Sequence, residues 1–129
     1  MPDYLFVYGT LRASCVPAEL QGLVGSFVPL GPATTAGVLY DLGPYPGAVF
    51  GGDGQIAGEV FELPDDRRVL AALDDYEGFL PHDPQGSLYI RVRRTVALSD
   101  GRQLECWAYA YQDDVTGRQR ILCGDWLRR

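Results

Sequence analysis

The hydrophobic pattern along the chain is mostly that of short strands. Tyr4-Leu5-Phe6-Val7-Tyr8 is a continuous apolar and aromatic run halted by Gly9, which predicts a central strand covered on both faces. Val38 to Leu42 and Ala48 to Phe50 predict two more short strands. Gly51-Gly52-Asp53-Gly54 then predicts a turn, and Gln55 to Leu63 a further strand, with these pieces pairing in sequence. Pro64-Asp65-Asp66 opens a helical stretch. Acidic residues stand near its start, Val69, Leu70, Leu73 and Tyr76 recur at helical spacing, and Gly78 follows its end, so Glu77 falls at the C-terminal edge.

Tyr89 to Leu98 and Gln103 to Tyr111 flank Ser99-Asp100-Gly101-Arg102, a hairpin signal with Asp100-Gly101 as a type I′ turn. That turn sets Ile90, Val92 and Val96 on one face with Trp107, Tyr109 and Tyr111. It leaves Arg91 and Arg93 opposite Ala108 and Ala110, and the first face is expected to carry more of the core. Ile121-Leu122-Cys123, before Gly124-Asp125-Trp126, is too short to stand alone and must dock on other strands. With a shorter helix near Ala18 to Leu23, the elements predict an α+β fold. It is a single domain over residues 1–129, with a curved, barrel-like mixed sheet and a few short helices.

Composition narrows the function. With 129 residues, 47% of them hydrophobic, one continuous core is expected. No apolar run is long enough to span a bilayer and the N-terminus lacks a basic, cleavable leader, so a cytoplasmic location is expected. The formal charge of −6 disfavours nucleic acid and anionic membranes as partners. Every basic residue is Arg; without Lys, Schiff-base chemistry and a phosphate-loop lysine are excluded. Cys15, Cys106 and Cys123 have no metal-ligand spacing and His82 is the only histidine, so no metal, disulfide framework or cofactor is expected.

Two segments carry candidate chemistry. At Tyr8-Gly9-Thr10-Leu11-Arg12 a buried strand stops at a residue without a Cβ, which permits close backbone approach to a ligand. Free N–H groups after such a strand can cradle an anion, and Arg12 can add a charge-assisted bond to a carboxylate. The plain alternative is a strand-end turn with Arg12 in water. Leu73-Asp74-Asp75-Tyr76-Glu77-Gly78 crowds three carboxylates at the negative end of a helix, which costs stability and raises proton affinity. Glu77, between an aromatic residue and a cap glycine, is the candidate acid/base; an ordinary solvated acidic helix end is the alternative.

Taken in order, Tyr8-Gly9-Thr10-Leu11-Arg12, Leu73-Asp74-x-x-Glu77-Gly78, Tyr89-x-Arg91 and Gly124-Asp125-Trp126 resemble the gamma-glutamylcyclotransferase-like family over nearly the whole chain. Thr10-Leu11 after the loop glycine is similar to the smaller bacterial and gamma-glutamylamine-type relatives. The resemblance implies a compact mixed domain with a barrel-like sheet and a cavity at one side. In that cavity the loop backbone (Tyr8, Gly9, Thr10, Leu11, with Arg12 beside it) holds a small-molecule γ-glutamyl substrate, Glu77 is the catalytic acid/base, and Tyr89 and Arg91 form wall or support. It implies conversion of a γ-glutamyl amine or amino acid to 5-oxoproline and free amine. Two other functions stand beside it: a non-catalytic small-molecule-binding or regulatory domain of the same fold, and a cysteine hydrolase pairing Cys15 with His82. Nothing in the sequence specifies an oligomeric state.

Overall fold

The computed structural model describes residues 3–9, 18 and 21–128. In chain order its elements are β1 (Tyr4–Val7), α1 (Gln21–Val24), β2 (Val28–Asp41), β3 (Pro46–Glu62), α2 (Arg67–Glu77), β4 (Tyr89–Leu98), β5 (Gln103–Tyr111) and β6 (Gln119–Ile121). The strands run β3-β1-β5-β4-β2 and close by pairing β2 with β3, a five-stranded mixed barrel with β6 added along β2. All neighbours are antiparallel except β1 and β5, which meet in parallel at Leu5 and Trp107. Among the described residues, no helix is long and apolar enough to cross a membrane.

The first strand is central and covered on both faces, as its unbroken apolar run predicts. Phe6 and Tyr8 point into the barrel with Leu39, Ile56, Val60, Val96 and Cys106. Leu5 and Val7 point outward into a second core with Val69 and Leu73 of α2, Phe61, Tyr89 and Tyr109. Burying each of the two helix side chains is worth about 1.5–3 kcal/mol, enough to hold an 11-residue helix that would be marginal alone. Asp66 caps that helix by accepting from the Arg68 N–H at 3.0 Å. Gly78 ends it, and Phe79 N–H bonds back to the Asp74 carbonyl at 2.8 Å.

Two expectations on the sheet are corrected. Gly51 to Gly54 do not separate two strands: β3 is continuous from Pro46 to Glu62. Phe50 and Gln55 face the consecutive residues Gly37 and Ala36, so the four residues between them form a large bulge on one strand. The strand opposite is also longer than expected. It begins at Val28, where Pro29, Gly31 and Pro32 look like breakers but flank a second register shift.

The hairpin forms, but one residue out of the expected register. Leu98 N–H bonds to the Arg102 carbonyl at 2.8 Å across a three-residue loop, Ser99-Asp100-Gly101, in which Gly101 takes φ of 96°. Asp100 accepts from the Arg102 N–H at 3.0 Å and tightens the loop. The third loop residue shifts every pair, so Arg91 lies opposite Tyr109, Arg93 opposite Trp107 and Val92 opposite Ala108. A slip of one residue exchanges the faces of a strand. Val96, Leu98, Cys106 and Ala108 therefore fill the barrel, while Tyr89, Arg91, Tyr109 and Tyr111 face α2. Both faces carry core, against the expected division.

The last apolar piece docks as expected, Ile121 against Leu39, and Trp126 is buried in the barrel core.

Candidate active site

At one end of the barrel the C-terminal end of β1, the start of β3, the start of β4, the last part of β5 and the final turn of α2 converge. They enclose a cavity of about 200 Å³. Its wall is aromatic: Tyr8, Tyr45, Tyr76, Tyr89 and Tyr109 line it, with Glu77 among them. Gly9 is needed where the chain leaves β1, because a Cβ there would stand 2.8 Å from Cγ and 2.9 Å from Cδ of Pro46. Gly9→Ala is accordingly expected to push apart two walls of the cavity. The melting temperature should hold within a few degrees while kcat/KM falls by about tenfold or more, since displacements of about 1 Å at a site carry such losses.

The three carboxylates at the end of α2 separate into different states. Asp75 is exposed. Asp74 is buried and accepts from Arg91 Nε at 2.8 Å, Arg91 Nη2 at 3.3 Å and the Tyr109 hydroxyl at 2.7 Å. The Arg91 guanidinium also lies over the Trp107 ring at 4.4 Å. Asp74 is thus paired with a cation and a phenol, and it clasps α2 to the β4–β5 hairpin. Glu77, three residues on and on the same helix face, forms no ion pair with any described cation. Half-buried in the cavity wall, it has its carboxyl pushed up from 4.5 to about 7 by desolvation. That value puts comparable populations of acid and carboxylate at neutral pH, the condition for moving a proton in both directions.

Three of the tyrosines around it, Tyr8, Tyr89 and Tyr109, are held as neutral phenols. Burial, and then the charges of Tyr89 and Glu77, push Tyr8 far up; burial and the Glu77 charge likewise raise Tyr89. Tyr109 is raised by burial and by its bond to Asp74.

The structure thus brings together Tyr8, Gly9, Glu77 and Tyr89 of the sequence-predicted site. Arg91 does not line the cavity; it stands behind the wall as a support through Asp74. Thr10, Leu11 and Arg12 lie outside the described residues, as does Cys15. Of the alternative hydrolase pair, His82 is exposed on a loop and does not line the cavity. Cys106 is buried with its thiol pushed up to about 12 by desolvation, the state of an inert core cysteine. Sequence reasoning missed Tyr45, Pro46 and Tyr109 as cavity residues. Tyr109 was within reach, since the correct three-residue hairpin loop aligns it with Arg91.

Comparison with known proteins agrees with this architecture. Residues 5–128 match the family described as gamma-glutamyl cyclotransferase, AIG2-like. The chain is 33% identical over 135 residues to the gamma-glutamylcyclotransferase family protein YtfP of Escherichia coli K12, covering 97% of this chain and 96% of that one. Among solved structures, YkqA from Bacillus subtilis superposes with a TM-score of 0.72 at 27% identity, over 99% of this chain and 40% of the longer YkqA chain. An AIG2-like protein from Mus musculus shares the fold with a TM-score of 0.70 at 22% identity, over 92% of this chain and 84% of that one. With the barrel and a carboxyl-bearing cavity in place, the chain belongs to the gamma-glutamyl cyclotransferase, AIG2-like family.

Proposed function

We propose that the protein converts a γ-glutamyl amine or γ-glutamyl amino acid to 5-oxoproline and the free amine, with Glu77 as general acid/base. The observation that carries this reading is the half-buried Glu77 carboxyl, raised to about 7 as the one carboxylate among the described residues lining the cavity, while Asp74, behind the wall, is already paired with Arg91 and Tyr109. The chemistry asks little else of the protein. The attacking α-amino group and the γ-carbonyl belong to one residue, so a five-membered ring closes without a protein nucleophile once the chain is folded on itself.

Glu77 as carboxylate takes a proton from the α-ammonium. The freed amine adds to the γ-carbonyl carbon, and the electron pair of the C=O bond moves to oxygen. When the C=O re-forms, the bond to the leaving nitrogen breaks and that nitrogen takes the proton back from Glu77, while the surplus proton of the ring nitrogen passes to the departing amine, which leaves as an ammonium ion. Ring and amine are both released, and Glu77 returns to its starting state. A cavity of about 200 Å³ is smaller than the roughly 300–1,000 Å³ typical of ligand pockets, so it suits the γ-glutamyl head and leaves the amine portion toward solvent. The direct test is a mass-spectrometric screen of γ-glutamyl amines and γ-glutamyl amino acids. Release of 5-oxoproline from at least one is expected, and none across the panel would set the reading aside in favour of a binding domain.

Backbone N–H groups of Gly9, Thr10 and Leu11 are assigned to hold the substrate oxygens, as the family resemblance implies. Thr10→Ala, which keeps its N–H, is then expected to be mild. Leu11→Pro, which deletes a donor, should weaken substrate binding by about tenfold or more with an unchanged circular dichroism spectrum. Equal affinity of Leu11→Pro and wild type would remove the loop from the binding role.

A further inference from the structure

The direction of the tyrosine hydrogen bonds around Glu77 carries an inference about how the cavity recognises its ligand. The Tyr89 hydroxyl donates to the Pro46 carbonyl at 2.6 Å, the Tyr8 hydroxyl donates to the Tyr109 carbonyl, and the Tyr109 hydroxyl donates to Asp74 Oδ1 at 2.7 Å. A phenol has one proton to give. All three are committed to fixed acceptors in the scaffold, so toward anything in the cavity these oxygens can only accept.

All three residues line the cavity, and each phenol is close enough to Glu77 to feel its charge. Their raised proton affinities keep the arrangement fixed, since no phenol releases its proton near neutral pH. Among the described lining residues there is no Lys, Arg or His, and Glu77 is the one carboxylate. The Arg91 guanidinium, behind the wall, is held by Asp74.

We propose that Tyr89 and Tyr8, together with Glu77, form an acceptor-only cradle that selects a ligand by its primary ammonium group and presents that group to the Glu77 carboxylate. An ammonium brings three donors and a positive charge to Tyr8, Tyr89 and Glu77, which offer lone pairs and one negative charge. A ligand without it leaves buried acceptors unpaired, the situation in which binding sites discriminate most strongly. The Tyr8 oxygen also has a backbone hydrogen bond with Ala48, so Tyr89 has the freer acceptor and is the position at which the cradle is most sensitive. Its partner Pro46, at the start of β3, fixes the orientation of the phenol. Tyr8 and Tyr89 act here as positioning and specificity residues.

This inference rests on the γ-glutamyl reading of the same site, and its test is separated from turnover by working in a Glu77→Gln background. The Gln carbonyl there still accepts, and the reaction is blocked. The probes are γ-glutamylbenzylamide and its deaminated counterpart, glutaric acid monobenzylamide, which differ only at the α-ammonium. Calorimetric titration is expected to show the amino ligand bound about tenfold or more tighter, the usual worth of a hydrogen bond to a charged group. Adding Tyr89→Phe should cut that preference by about tenfold, with affinity for the deaminated ligand kept within about twofold. A merely structural tyrosine would weaken both ligands alike.

No preference for the amino ligand, including the case in which neither binds, overturns the proposal without any tyrosine variant. An unchanged preference in Tyr89→Phe overturns it as well. If Tyr89→Phe does not fold, Tyr8→Phe is read by the same ratio. Failure of wild type to release 5-oxoproline, with the binding preference present, would remove the catalytic reading and leave the cradle standing.

Discussion

Replacing Glu77 by Gln is expected to lower kcat by about two to four orders of magnitude, the range over which general acid/base catalysis contributes, with substrate binding largely kept. Gln preserves the shape of the side chain and an acceptor oxygen but cannot take the α-ammonium proton. The pH dependence of the wild type is expected to agree. Activity needs the carboxylate, so kcat/KM should rise with pH through an inflection near 7, the value to which burial pushes the Glu77 carboxyl. Wild-type turnover in Glu77→Gln, or an inflection left near 4.5, would take the proton transfers away from this residue.

The same substitution should change stability in a way that depends on pH. Folded Glu77 keeps its proton up to about 7, while in the unfolded chain the group titrates near its ordinary 4.5. Between those values the folded state binds more protons, so stability falls as pH rises through the window. The cost is absent below about 4.5 and complete above about 7. Glu77→Gln escapes it. The variant should therefore melt like wild type at pH 4 and be more stable by about 2 kcal/mol at pH 8, with allowance for water reaching a half-buried carboxylate. A catalytic acid kept in a position that costs stability is expected to show this opposition of activity and melting temperature. If Glu77→Gln melts far below wild type at pH 8, its role is structural.

The other large effect concerns Arg91. Its guanidinium is the charged partner of buried Asp74, and Arg91→Ala would leave that carboxylate with the Tyr109 hydroxyl as its remaining side-chain donor. Removing one member of a buried pair costs about 3–5 kcal/mol. The side chains here keep 18% and 9% of their exposure, so the lower end, about 3 kcal/mol, is expected. For a chain of this size that is a melting-temperature drop of roughly 10 °C.

Because the pair clasps the last turn of α2 to β4, the loss should reach activity as well, through a misplaced Glu77. Arg91→Lys, which cannot reproduce the two guanidinium contacts or the stacking on Trp107, should recover only part of the stability. An Arg91→Ala protein that melts within about 2 °C of wild type would show that the Asp74 clasp does not hold the helix.

Local sequence was enough to specify β1, α2 and the chemistry they could carry. The unbroken apolar run before Gly9 could only be a strand covered on both faces. The capped amphipathic stretch from Asp66 to Gly78 could only be a helix with Glu77 at its end. These features depend on local periodicity and capping, which neighbouring residues specify. The fate of the three acids did not follow from sequence, because it depends on what lies across space from the helix end. Asp74 is matched by Arg91 and Tyr109 from a hairpin 17 and 35 residues away, while Glu77 faces a cavity whose described lining is mainly aromatic and apolar.

The hairpin register shows the same division. Asp100-Gly101 announced a turn, but two-residue and three-residue loops can both be built from Ser99-Asp100-Gly101-Arg102. One residue of difference decides whether Arg91 faces Tyr109 and the helix or the barrel interior. Only closure of the barrel decided it. The small and apolar Val96, Leu98, Cys106 and Ala108 fit inside, and the arginines and tyrosines must lie outside, where a buried carboxylate and water can satisfy them.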